Sequence, residues 1–183
     1  VDLSLAPGDT TLFHEHTADI VTLLLEPGDT TNQVLSGEPT RSPARQAGQV
    51  GYAAYATKPY THRVSNVGQS TFRIIGVEIF SPRGLDTKDL AGRDPPFELV
   101  LENDRVRVWK MALESGQTVG PISRPMPSVQ IVQAGGRLLI QGEGSSVETN
   151  AKAGDLRWWP KGTSSSLRNV GSSQLVLVDI EVK

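Results

Sequence analysis

The chain has three histidines, and their spacing would let a single metal ion collect all of them. His14-Glu15-His16 places two imidazoles two residues apart; in an extended strand such residues share a face, so His14 and His16 project together while Glu15 points the other way. A second block runs Gly51, five residues, Thr57-Lys58-Pro59, two residues, His62, three residues, Asn66, and supplies a third imidazole from a facing strand. With no cysteine in the chain, thiolate ligands, cysteine nucleophiles and disulfides are excluded, so a metal must bind through nitrogen and oxygen. Three neutral imidazoles leave the charge of a divalent ion uncompensated, which favours an anion at its open positions.

Around these blocks stand further candidates. Asp19 lies two residues before Val21 and shares its face, where it either reaches the metal or caps a turn. Tyr52, Tyr55 and Tyr60 surround the second block, where they either hydrogen-bond a bound ligand or dioxygen or pack as core aromatics.

The elements that must position these groups read as strands. Short runs of Val, Ile, Leu and Thr recur between turn signals such as Pro7-Gly8-Asp9, Glu26-Pro27-Gly28-Asp29, Asn66-Val67-Gly68 and Gly135-Gly136. No long stretch carries a helical period, so the fold class is all-β, a barrel or sandwich of many short strands.

The chain also repeats itself. Gly8, Val21 and Gly28 match Gly116, Val129 and Gly136 at an offset of 108; Gly51, Asn66, Gly68 and Val77 match Gly154, Asn169, Gly171 and Ile180 at an offset of 103. The five-residue excess of the first copy is assigned to Thr31 to Gln49, a polar stretch read as a loop. Ser81 to Pro96, punctuated by Pro and Gly, reads as a linker between domains 1–80 and 97–183. The second copy opens with a strand-like lead-in, Phe97 to Val108, that the first copy lacks.

In the second copy the three histidine positions hold Ile122, Arg124 and Ser165, and neither Ile nor a permanently charged Arg ligates a divalent cation. One metal per chain is therefore expected, in the first copy. Arg124 leaves the second either a structural partner or an anion pocket. Trp158 and Trp159, adjacent on a strand, face opposite ways, one into the barrel and one towards an interface.

The two blocks resemble the paired motifs of the cupin superfamily, and the resemblance covers nearly the whole chain in two copies. The first motif is Gly, five residues, His-any-His, three or four residues, Glu, six residues, Gly; the second is Gly, five residues, Pro-any-Gly, two residues, His, three residues, Asn. The resemblance implies two tandem cupin barrels, also called jelly rolls or double-stranded β-helices, with metal ligands facing the interior. Thr57 and Pro59 depart from the usual turn, and Val21 occupies the slot of the usual glutamate ligand, on a face shared with Leu23 and Leu25.

Cupins with three histidines and no glutamate resemble certain iron-dependent dioxygenases. That implies a metal-binding bicupin and an oxidoreductase acting on a small anionic chelating substrate, with Fe(II) favoured and Zn, Ni or Mn as alternatives. Two other readings stand beside it: a non-catalytic small-molecule or sensor module, and a metal-dependent isomerase or lyase, against which counts the lack of an evident acid or base near the motifs. Because cupins commonly associate through lead-in strands, the edge left in the first copy implies a homodimer.

A balance of 18 basic to 20 acidic residues offers no footprint for nucleic acid or an anionic membrane, and no apolar run approaches the ~20 residues that span a bilayer. The chain reads as soluble, cytoplasmic, or periplasmic or secreted if an upstream signal is removed before Val1.

Overall fold

A computed structural model describes residues 1–81 and 92–183, and every regular element among them is a β-strand. No helix there is long and apolar enough to cross a membrane. The chain divides into two compact units, Val1–Ser81 and Pro82–Lys183. Most of the expected linker, residues 82–91, lies outside the described residues.

The first unit contains β1 (Asp2–Leu5), β2 (His14–His16), β3 (Asp19–Glu26), β4 (Thr30–Val34), β5 (Thr40–Arg41), β6 (Val50–Ala53), β7 (Tyr60–Asn66) and β8 (Phe72–Ile79). They build two four-stranded sheets, ordered β1-β8-β3-β6 and β2-β7-β4-β5. Between the sheets Leu5, Leu24 and Phe72 pack with Leu3, Ile74 and Val64, which identifies the inward faces. On β7 that face includes His62, two residues before Val64; on β3 it includes Ile20, Thr22 and Leu24.

The second unit contains β9 (Phe97–Glu102), β10 (Val106–Leu113), β11 (Thr118–Ser123), β12 (Ser128–Ala134), β13 (Gly136–Gly142), β14 (Ser145–Ala151), β15 (Leu156–Trp159), β16 (Ser164–Asn169) and β17 (Leu175–Val182). Its sheets run β15-β12-β17-β10-β9 and β11-β16-β13-β14 and enclose a core that includes Met111, Leu113, Ile122, Leu138, Leu167 and Leu177. The lead-in expected over Phe97 to Val108 is β9, a turn at Asn103 and the start of β10.

Both barrels close alike. The buried amide of Asn66 donates to Leu5 O and Ser70 O, at 2.9 and 2.8 Å, while its carbonyl accepts from Gly68 N; Asn169 repeats the three bonds with Leu113 O, Ser173 O and Gly171 N. Gly8 and Gly116, at φ of 88° and 78°, turn their amides onto the carbonyls of these same asparagines.

The register divides the length difference in two. Leu23 pairs with Val50 as Ile131 pairs with Leu156, so β6 and β15 correspond at an offset of 106. The counterpart of Gly154 is thus Gly48, each with positive φ and each donating to the matching carbonyl, Val132 O and Leu24 O. Only two of the five extra residues fall in Thr31 to Gln49, which also contributes β4 and β5 rather than loop alone. The other three lie between β6 and β7, in the segment that contains Tyr55.

Candidate metal centre

β2 and β7 are hydrogen-bonded neighbours in one sheet, with His14 opposite His62 and His16 opposite Tyr60. The third imidazole therefore comes from the adjacent strand of the same sheet, not from across the barrel. One ring nitrogen from each of His14, His16 and His62 lies within 4.8 Å of the others. Glu15 is exposed on the opposite face, where its Oε1 accepts from Thr61 Oγ1 at 3.5 Å.

The other nitrogens are directed by oxygens. His14 Nδ1 donates to Leu12 O at 3.0 Å and His62 Nδ1 to Asn32 Oδ1 at 2.5 Å, which fixes the proton on Nδ1 and leaves Nε2 with its lone pair. Asn32 is held in turn by Nδ2 donating to the Tyr60 hydroxyl. His16 Nδ1 is buried and faces Glu78 Oε1 at 3.7 Å, too long for a hydrogen bond but close enough for the carboxylate to favour a proton there. Burial, then the neighbouring His14 and His16, pushes the His62 pKa down to about 4; burial and then His14 lower that of His16 against the pull of Glu78.

The three rings fit a cation. His16 Nε2 and His62 Nε2 stand 3.2 Å apart, two lone pairs facing each other when both protons sit on Nδ1. Two nitrogen ligands at about 2.0–2.1 Å from one divalent ion would stand roughly 3.0–3.4 Å apart. No carboxylate joins the cluster among the described residues.

Of the remaining candidates, Tyr55 stacks on His16 with ring centroids 5.2 Å apart and on Tyr60 at 5.4 Å, and Tyr60 tilts against His62 at 4.8 Å. Burial, then Tyr60, raises the Tyr55 pKa. Asp19 and Tyr52 lie on the other face of their sheet. Asp19, fully buried, accepts from Tyr52 Oη at 2.9 Å and Ala56 N at 3.1 Å, so it anchors the segment carrying Tyr55 instead of joining the histidines.

Val21 also faces away. It shares the outer side of β3 with Leu23, whereas Ile20 pairs with Glu78 on the side that meets His16. The motif's spacers, four residues from His16 and six to Gly28, place the slot at Val21, whereas strand parity turns Ile20 towards His16.

Glu78 and Asn32 did not stand out in the sequence. Glu78 corresponds to Glu181 at the offset of 103, a carboxylate at the same inward position of both copies, and that repeat was a readable signal. Asn32 offers none, because its role depends on the pairing of β4 with β7. In the second barrel Ile122 pairs with Ser165 as His14 pairs with His62, and Arg124 stands where His16 does. Trp159 packs on the core while Trp158 is 58% exposed.

No protein-family model and no curated protein matches the sequence. Solved structures do match in fold. AerE from Microcystis aeruginosa shares 15% identity over 98% of this chain and 85% of its own, with a TM-score of 0.72. The oxalate decarboxylase of Bacillus subtilis, a protein with Mn(II) centres, shares 12% over 98% and 67%, at 0.65. The salicylate 1,2-dioxygenase of Pseudoaminobacter salicylatoxidans shares 14% over 98% and 69%, at 0.62. The chain has the all-β, two-barrel cupin fold.

Proposed function

We propose that the chain is a metal-dependent cupin whose His14, His16 and His62 hold one divalent transition metal, Fe(II) ahead of Zn, Ni or Mn, and that it oxidises a small anionic chelating substrate in the manner of a dioxygenase. The observation that carries this reading is a cluster of three imidazoles, two of them oriented by oxygen partners, that no carboxylate joins among the described residues. A divalent ion held there supplies Lewis acidity and, as Fe(II), the redox chemistry that dioxygen requires. The protein's own residues do the positioning. Leu12 O and Asn32 Oδ1 keep two rings in the ligating tautomer. The stacked rings of Tyr55 and Tyr60 wall the site on the His16 side, and the Tyr60 hydroxyl, accepting from Asn32, has its own proton to donate to a ligand oxygen.

Likeness in fold to a salicylate dioxygenase and an oxalate decarboxylase supports aromatic hydroxy acids and dicarboxylates as the first compounds to test. Protein purified without added metal should contain near one equivalent of iron and consume oxygen with one of them. Glu78 favours a second reading, an isomerase or lyase, because it brings a carboxylate to the edge of the site where proton transfer needs one. Turnover that continues under argon, or zinc in place of iron, would replace the first reading with the second.

A further inference from the structure

The second barrel holds a buried cation with no direct ion-pair partner among the described residues. Arg124 has no exposed surface, and its guanidinium donates only to Ser165 Oγ at 2.9 Å and weakly to Ile122 O at 3.4 Å. Its Nε and Nη2 have no partner among the described residues, and neither do two other buried donors, Trp159 Nε1 and Ser128 Oγ. These groups share one neighbourhood. The Arg124 Cζ lies 3.8 Å from the centre of the Trp159 ring, and Ser128 is the cross-strand partner of Trp159.

The interior carboxylates are already engaged. Asp179 accepts from Gln130 at 2.8 Å and Arg93 at 2.9 Å; Glu181 accepts from Arg93 at 2.7 Å and Trp109 at 2.9 Å. Arg124 feels them only at longer range, and burial first of all pushes its pKa down to about 10, which still leaves it charged at neutral pH. A buried charge without a counter-ion costs several kcal/mol, whereas an anion accepting from these donors would satisfy them together.

We propose that the second barrel is an anion receptor, in which Arg124, Trp159 and Ser128 bind one small monocarboxylate. On the neighbouring strands a cavity of about 180 Å³ is lined by Thr149 and Ala151 of β14, Leu156 and Arg157 of β15, and Gln130. Arg157, exposed, carries a second guanidinium to within 5.6 Å of the Trp159 ring. Because that ring lies over the Arg124 guanidinium, its fluorescence should report binding. None of this rests on the metal of the first barrel.

The test is to titrate formate and acetate into the full chain, with chloride and sulfate at matched ionic strength as controls. Tryptophan emission and thermal midpoint are read before and after chelation, so that an anion bound at a first-barrel metal is set apart. A saturable emission change and a rise in midpoint that survive chelation are expected, with affinity at least tenfold weaker in Arg124→Met and partly kept in Arg124→Lys. Should Arg124→Met fail to fold, Trp159→Phe and Ser128→Ala decide, each expected to weaken binding several-fold. A carboxylate response no larger than that of chloride, or one equal in wild type and these variants, would overturn the proposal and leave Arg124 as a purely structural cation.

Discussion

The two barrels share a frame and fill it in opposite ways. Small residues of the first barrel are large or charged in the second: by strand register Gly51, Ala53 and Gly76 correspond to Arg157, Trp159 and Asp179. Where the first offers lone pairs, the second offers an apolar side chain, a fixed charge and a hydroxyl, in Ile122, Arg124 and Ser165. Even the residue that orients His62 is exchanged, since Asn32 corresponds to Ile140, which joins the second core. What both retain is the closure built on Asn66 and Asn169 and the inward carboxylates Glu78 and Glu181. The barrel is thus held by its closing turns and sheet pairing, while its interior is free to be either a polar site or a packed core, each buried Leu or Ile of the latter contributing about 1.5–3 kcal/mol.

The comparison breaks most sharply at the ligands. Replacing His62 with Ala should reduce bound metal from one equivalent to near zero and remove the stabilisation that metal gives the first barrel, leaving the second folded. Metal analysis and two-probe thermal unfolding check this; one equivalent retained in every single-histidine variant would refute the assignment. The converse graft, Ile122→His, Arg124→His and Ser165→His together, should yield a second metal equivalent. Its affinity should be weaker by about 10–100-fold, because Ile140 cannot orient the new ring at position 165 as Asn32 orients His62. A graft as tight as the native site would mean that the orienting oxygens contribute nothing.

Strand parity is tested next. Val21→Glu buries a carboxylate on the face away from the histidines, at a position 1% exposed, and should cost several kcal/mol with metal affinity unchanged. Ile20→Glu should put the fourth ligand beside His16, tightening metal and weakening anion binding together. The opposite pattern, read by metal competition and urea unfolding, would restore Val21 to the site.

Edges differ as well. β10 is flanked by β9, but the outer side of β1 has no partner strand among the described residues. That edge is expected to be covered by a second copy in a homodimer unless a segment upstream of Val1 covers it, and light scattering at the mass of a single chain, together with a covered edge, would count against the homodimer.

Much of the frame was legible in the sequence because its determinants are local or repeated: turn glycines, strand-length apolar runs and paired asparagines recur from one copy to the other. The His14-Glu15-His16 face was legible too, since alternation along a strand needs no tertiary information. What escaped depends on pairing between distant strands. Asn32 meets His62 only through the register of β4 on β7, and the motif spacing points to Val21 where the pleat of β3 turns Ile20 inward. Arg93, read as part of a linker, reaches Asp179 and Glu181 across some 90 residues of sequence, a partnership that composition cannot announce.

The smallest expected effect concerns the three extra residues between β6 and β7, which have no counterpart between β15 and β16. They give the first barrel room to lay Tyr55 over His16, held from behind by Asp19 through the amide of Ala56. Stacking of this kind contributes about 0.5–1.5 kcal/mol, so Tyr55→Leu should change metal affinity by no more than about tenfold. Its effect should fall on the ligand instead. With the ring gone, the side of the site next to His16 opens to water, and an anion held there should dissociate faster while its association rate stays the same. Stopped-flow binding of a carboxylate to the metal-loaded protein separates the two rates. A change confined to association would make Tyr55 a gate at the entrance, and a loss of metal equal to that of a histidine variant would make it part of the metal site itself.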